Sequence, residues 1–142
     1  MTPLVDTRIF LPALAMVALT IVVWFRMYVV RVAQMKRDRI HPQAVATAAQ
    51  SAAKLTDSGA ADNFRNLFEL PVLFYLALVV AALSAQVTPL TLALAWLFVF
   101  WRIVHSAIHC SYNKVMHRFS VYVLGGATLW VFWGVLGYGL LR

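Results

Sequence analysis

The sequence is short of charge, and of acid above all: among 142 residues, 12 are Lys or Arg and five are Asp or Glu, so 12% are charged. Soluble globular domains carry about 25% charged residues. With 63% hydrophobic residues and a mean hydropathy of +0.79, an ordinary soluble domain is excluded and an integral membrane protein is implied. Cysteine is nearly absent as well. The single Cys110 rules out an intrachain disulfide and reads as an inert small residue near the membrane surface. No charge at all lies between Glu69 and Arg102. The apolar runs also lack the polar alternation that strands of a membrane barrel need, so the spans are helices. No internal repeat or low-complexity tract breaks the chain, and its length suits one domain, residues 1–142.

A membrane-crossing helix needs about 20 largely apolar residues. Four runs qualify, at about 9–32, 64–85, 89–110 and 119–141. The first is too long for a signal peptide and is followed by Arg26 and Arg31 rather than a small-residue cleavage site, so it reads as a retained helix. The loop at 33–62 is the one long aqueous segment. Its Ala-rich part suits a short helix, and "TDSGAAD" reads as a turn with a cap for the next helix. The other two loops are short, which makes consecutive helices antiparallel neighbours in an up-down four-helix bundle. Five glycines in the fourth run, from Gly125 to Gly139, permit close helix packing.

Cations gather around the first and third loops (Lys36, Arg37, Arg39, Lys54, Lys114, Arg118), whereas "SAQVTPL" in the second carries none. The positive-inside rule therefore places loops one and three in the cytoplasm, as in the inner membrane of a bacterium. Anionic head groups account for the net charge of +7, so nucleic acid is not an expected partner.

The spans cannot avoid their polar residues. Leu70 to Ala85 is 16 residues and Leu90 to Trp101 is 12, and neither crosses a bilayer alone. Helix two must start near Phe64 and helix three must continue toward Cys110. That draws Arg65, Asn66, Glu69, Arg102, His105, Ser106 and His109 into or against the membrane. An ionisable group at a helix centre costs about 2.5–3.5 kcal/mol and marks a functional site by default. Arg102 is expected about 18 Å from the far end of its helix. Arg65 and Glu69, four apart, and Asn66 and Glu69, three apart, share a helix face; so do Arg102, His105, Ser106 and His109, and Arg118 with Tyr122. The expected result is a cation-rich cavity at one membrane level, suited to an anionic ligand.

Plainer readings stand beside this one. Arg65 and Glu69 could be an intrahelical ion pair, Arg102 could be a structural charge paired with a neighbour's Glu69, and Arg118 could snorkel to head groups. His105 and His109 have the spacing of two metal-ligating imidazoles, but no cysteine or carboxylate completes a set and nearby arginines repel a cation. His41 and His117 read as solvated loop residues.

"RNLFE" opening helix two, "RIVHSAIH" ending helix three and "RFSVY" opening helix four, with "RMYVVRVAQMKR" leaving helix one, resemble the MAPEG superfamily, membrane-associated proteins in eicosanoid and glutathione metabolism. The likeness is greatest to the microsomal glutathione transferase and prostaglandin E synthase branch. It implies a homotrimer of all-α four-helix subunits that binds glutathione, or another anionic thiol, between subunits. Arg65, Asn66 and Glu69 would then hold the peptide's charged ends and amine. Arg102 and His105 would lie along it, Tyr122 near its cysteine, and Lys36 or Arg37 would add a contact after helix one. Arg118 matches the arginine used beside the thiol. This chain departs from the pattern in two places: His109 stands where the synthases have tyrosine, and Phe119, with Ser120 one further on, where the prostaglandin synthase has serine. The implied function is a glutathione-dependent transferase or peroxidase acting on lipophilic electrophiles that arrive from the bilayer. The alternative is a non-catalytic lipid-binding or accessory subunit.

Overall fold

The computed structural model describes residues 6–142. Its elements are α1 (Leu11–Arg37), α2 (Ala48–Lys54), α3 (Gly59–Asn66), α4 (Leu70–Leu83), α5 (Pro89–His109) and α6 (Val115–Leu140), with short 3-10 turns at Thr7–Phe10 and Pro42–Val45. There is no strand among the described residues. Four segments are long and apolar enough to cross a bilayer: Thr7–Arg37, Gly59–Leu83, Pro89–His109 and Val115–Leu140. The chain is a multi-pass, all-α integral membrane protein.

Local chemistry sets the helix ends. α1 closes with Lys36 and Arg37 in its last turn, where cations oppose the negative end of the helix dipole. Arg39 then takes a left-handed conformation (φ 53°), and the Ile40 N–H donates back to the Met35 carbonyl at 2.9 Å, a Schellman closure. α4 closes the same way, with Ala85 at φ 56° and the Gln86 N–H on the Ala81 carbonyl at 2.9 Å. α5 opens three residues later with Pro89 at its first position and a capping box between Thr88 and Thr91. The uncharged second loop is thus a tight hairpin.

The second span is not one helix. Pro71 has no N–H to give the Leu67 carbonyl, and its ring crowds that carbonyl, so the helix cannot run through. Leu67, Phe68 and Glu69 form a break between α3 and α4. The sixth helix begins at Val115, four residues before the expected Phe119, because left-handed Asn113 (φ 49°) turns the chain within the short α5–α6 loop. "TDSGAAD" is only partly a turn: Gly59 already belongs to α3. A Cβ on Gly59 would lie 2.8 Å from the His109 carbonyl oxygen, so only glycine lets α3 approach α5 this closely.

α5 and α6 pack along their length, α1 lies against α3 and α5, and α4 against α6. Half of α5's most apolar stretch is buried against 22% of α1's, which makes α5 the central helix. The core includes Met16 and Val23 of α1, Phe74 and Leu78 of α4, Phe98 of α5, and Phe132 of α6. Phe74 and Phe98 stack with ring centroids 4.4 Å apart. Gly125 brings α6 within contact of Trp101 on α5. The outer faces of the bundle expose large apolar residues such as Val22, Phe25, Trp96, Phe100 and Trp130, a surface suited to lipid rather than water.

A polar site inside the bundle

The core is not apolar throughout. On α5, Arg102, His105, Ser106 and His109 are all buried, with 1%, 2%, 3% and 2% of their surfaces exposed. Arg102 is the largest fully buried side chain among the described residues. Its partner comes from the helix break. With α3 ended, the Asn66 carbonyl does not continue the helix ladder, and it accepts a hydrogen bond of 2.9 Å from Arg102 Nη2. Pro71, Asn66 and Arg102 therefore form one unit: the proline breaks the helix, the break frees a carbonyl, and the arginine caps it.

Tyr122 of α6 is half-buried over this unit. Its ring centroid lies 6.0 Å from Arg102 Cζ and 5.8 Å from that of His105. His105 and His109 stand edge to face with centroids 5.5 Å apart. Arg118, also half-buried, donates from Nη1 to Asn113 Oδ1 at 2.6 Å. The side chain that fixes Arg118 thus belongs to the residue that turns α5 into α6.

Other expected members lie elsewhere. Arg65 has three quarters of its side chain exposed and pairs with Asp62, three residues back, at 2.9 Å. It does not pair with Glu69, because the break puts the two on different sides of a helix end. Glu69 is exposed, and Asn66 is half-buried with its amide on the Asp62 carbonyl at 3.2 Å. The shared face expected for Arg65, Asn66 and Glu69 is absent for the same reason. Lys36 and Arg37 are exposed in the last turn of α1 rather than in a loop. Arg37 bonds Asp38 at 2.9 Å and holds that carboxyl below the usual carboxylate range.

Three residues that the sequence reading passed over are built into the same end of the bundle. Asn63, fully buried, accepts from the Ser106 hydroxyl at 3.3 Å and donates to Cys110 Sγ at 3.5 Å, tying α3 to α5. Its signal was available: it precedes Asn66 by one helical turn, on the same face. Asn113 is the second. Gln34, 2% exposed, is the third. Its amide donates to Thr56 Oγ1 at 3.0 Å and accepts from the Asp57 N–H at 3.2 Å, fastening the long loop to α1. A glutamine amid charged residues at a helix end gave no such signal.

Four buried nitrogens have no hydrogen-bond partner: Arg102 Nε and Nη1, His105 Nδ1 and His109 Nδ1. Buried polar groups are normally satisfied, and unpartnered ones are costly. All four sit on one stripe of α5, and the arginine's two are donors on a fixed positive charge. They fit an anionic, hydrogen-bonding ligand. They do not suggest a cation, and no group of three or more His, Cys, Asp or Glu side chains able to hold a metal is found among the described residues.

Fold and site together define a four-span membrane protein with a buried, arginine-centred polar stripe at the end where α1 and α5 finish and α3 and α6 begin. Residues 9–138 match the model of the MAPEG family, and the chain belongs to that family. Comparison with curated proteins and with solved structures returns no match. The membership supports a general role in glutathione or eicosanoid metabolism at a membrane, in a family associated with glutathione-using members.

Proposed function

We propose that the protein is a glutathione-dependent membrane transferase or peroxidase acting on lipophilic electrophiles. The unpartnered donors of Arg102, buried at the level of His105 and Tyr122, carry this reading. A charge held inside a bundle with two N–H groups unsatisfied is poorly explained by structure alone, and an anionic peptide would satisfy it. Arg102, His105 and His109 would line the tripeptide, with Asn66 beside them. Arg65, Glu69, Lys36 and Arg37, exposed on the single chain, would reach it only if subunits associate. A homotrimer with the ligand between subunits meets that requirement.

Glutathione supplies a thiol whose unperturbed pKa of about 8.5 leaves it largely protonated at neutral pH. The work of this chain's residues is to favour the thiolate and orient it. Arg118 carries a permanent charge and is steadied by Asn113. Tyr122 offers a hydroxyl from the same face of α6. The exposed apolar faces would let the second substrate enter laterally from lipid, with loops one and three on the cytoplasmic side of a bacterial inner membrane.

A second reading, a non-catalytic lipid-binding or accessory subunit, has one observation in its favour. Phe119 has no hydroxyl, and that of Ser120 is spent on its own helix, donating to the Met116 carbonyl at 2.9 Å. Purified protein in detergent, titrated with glutathione up to millimolar concentration, separates the two. Binding is expected, as is conjugation of a generic electrophile that Arg118→Ala abolishes while binding survives. No binding at millimolar glutathione would sink the enzyme reading.

A further inference from the structure

The buried stripe reaches toward the outside of the bundle. Tyr122, His105 and His109 stand in a row, with ring centroids 5.8 Å apart for the first pair and 5.5 Å for the second. His109 is the last residue of α5, and it also lines a separate cavity of about 140 Å³. The other walls of that cavity include Arg26, Asp57, Ser58, Ser111 and Asn113, all of them exposed. Its volume has room for several waters. Of the buried polar side chains on α5, only His109 also borders this hydrated space.

That junction matters for the reaction proposed above, on which the inference rests. Favouring a thiolate means removing a proton, and inside the bundle that proton has few carriers. Arg102 and Arg118 stay charged and cannot take it. Asp62, which acts on His109 from α3, is already held by the Ser58 hydroxyl at 2.6 Å and by Arg65 at 2.9 Å. Glu69 is exposed. The two imidazoles remain. Each has a buried Nδ1 without a partner, and a neutral imidazole accepts at one ring nitrogen while donating from the other. At these spacings a proton can pass directly or through one water.

We propose that His105 and His109 carry the thiol proton out of the site. The S–H bond of bound glutathione breaks with its electron pair left on sulfur, and the proton passes to His105. His105 gives a proton to His109, and His109 gives one to water in the polar cavity that Asp57 lines. One proton enters the row and one leaves, so neither ring keeps a charge. The thiolate stays behind with Arg118.

The test mixes the full chain in detergent rapidly with glutathione, in weak buffer containing a pH indicator, while calorimetry measures binding separately. Wild type is expected to release a proton on binding glutathione and none on binding S-methylglutathione, which has no S–H. His109→Gln keeps a hydrogen-bonding side chain but cannot relay, so it should bind glutathione and release the proton about tenfold more slowly. Added imidazole, which is small enough to enter the cavity, should restore the rate, as it would not for a folding defect. Asp57→Asn, at an exposed position on the cavity wall, should slow release about threefold. If wild type fails to bind glutathione, the enzyme reading falls and this inference with it. If binding stands, the relay alone is overturned by equal release rates in wild type and His109→Gln, by no rescue with imidazole, by no slowing in Asp57→Asn, or by equal release with S-methylglutathione.

Discussion

Arg102→Met asks whether the buried arginine is held for structure or for a ligand. An arginine at a helix centre in the bilayer costs up to about 2.5–3.5 kcal/mol, and methionine removes that cost while keeping most of the side chain's volume. Against this stands the single bond to the Asn66 carbonyl, worth about 1.5–3 kcal/mol as a hydrogen bond to a charged group. The two terms nearly cancel. Stability should therefore change by no more than about 2 kcal/mol in either direction. Breaking a buried ion pair that serves structure alone would cost about 3–5 kcal/mol. Reversible unfolding in mixed micelles, followed by tryptophan fluorescence, measures the difference. Glutathione supplied at 100 times its Kd should stabilise the native protein by about 2.7 kcal/mol, and Arg102→Met should lose that increment. A loss of more than about 3 kcal/mol in the apo protein, with the glutathione increment intact, would refute the argument and make Arg102 a strut.

Asn113→Gly keeps the left-handed turn but removes the amide that holds Arg118, so stability should hold within about 1 kcal/mol while kcat/KM for conjugation falls several-fold; an unchanged kcat/KM would remove Asn113 as the positioning residue. Gly59→Ala should destabilise the protein by about 1–3 kcal/mol through overpacking, because its Cβ meets the His109 carbonyl at 2.8 Å; chemical denaturation of the variant beside wild type checks it. Gln34→Leu cuts the bonds to Thr56 and Asp57, and limited trypsin digestion should cleave at Lys54 and Arg39 about tenfold faster, whereas equal rates would show that the loop is held by other contacts.

The spans were legible because length and hydropathy alone decide them: about 20 apolar residues cross a bilayer whatever their order. The short second loop was legible for a local reason, since few residues separate its two apolar runs, but the capping box that closes it, between Thr88 and Thr91, comes from the structure. Likewise, the α5 stripe could be read from helical periodicity, because Arg102, His105, Ser106 and His109 lie on an unbroken helix. Asn113 was harder. Its left-handed turn lengthens α6 at the start and its side chain fixes Arg118, and neither effect shows in a hydropathy profile.

The misreading of Arg65, Asn66 and Glu69 has a single cause, and it bears on function. Periodicity assumed a continuous helix, but Pro71 was already in the sequence, two residues beyond Glu69. A proline at that place interrupts the ladder four residues before it, so Arg65 and Glu69 cannot stack as neighbours four apart on one helix would. The break has a second consequence that no local rule supplies. It leaves the Asn66 carbonyl for a residue 36 positions away in the chain, and Arg102 takes it. Capping a carbonyl needs only one of the guanidinium's donors, so a lysine or a glutamine would serve as well. What singles out arginine is the permanent charge and the two further donor nitrogens it keeps, Nε and Nη1, unpartnered in the bundle on different edges of the guanidinium and each open to an acceptor of its own. The helix break and the ligand site are therefore two uses of one side chain, and restoring the helix with Pro71→Ala should disturb the site without touching any residue in it. If glutathione binding is unchanged in that variant, the coupling between break and site is wrong.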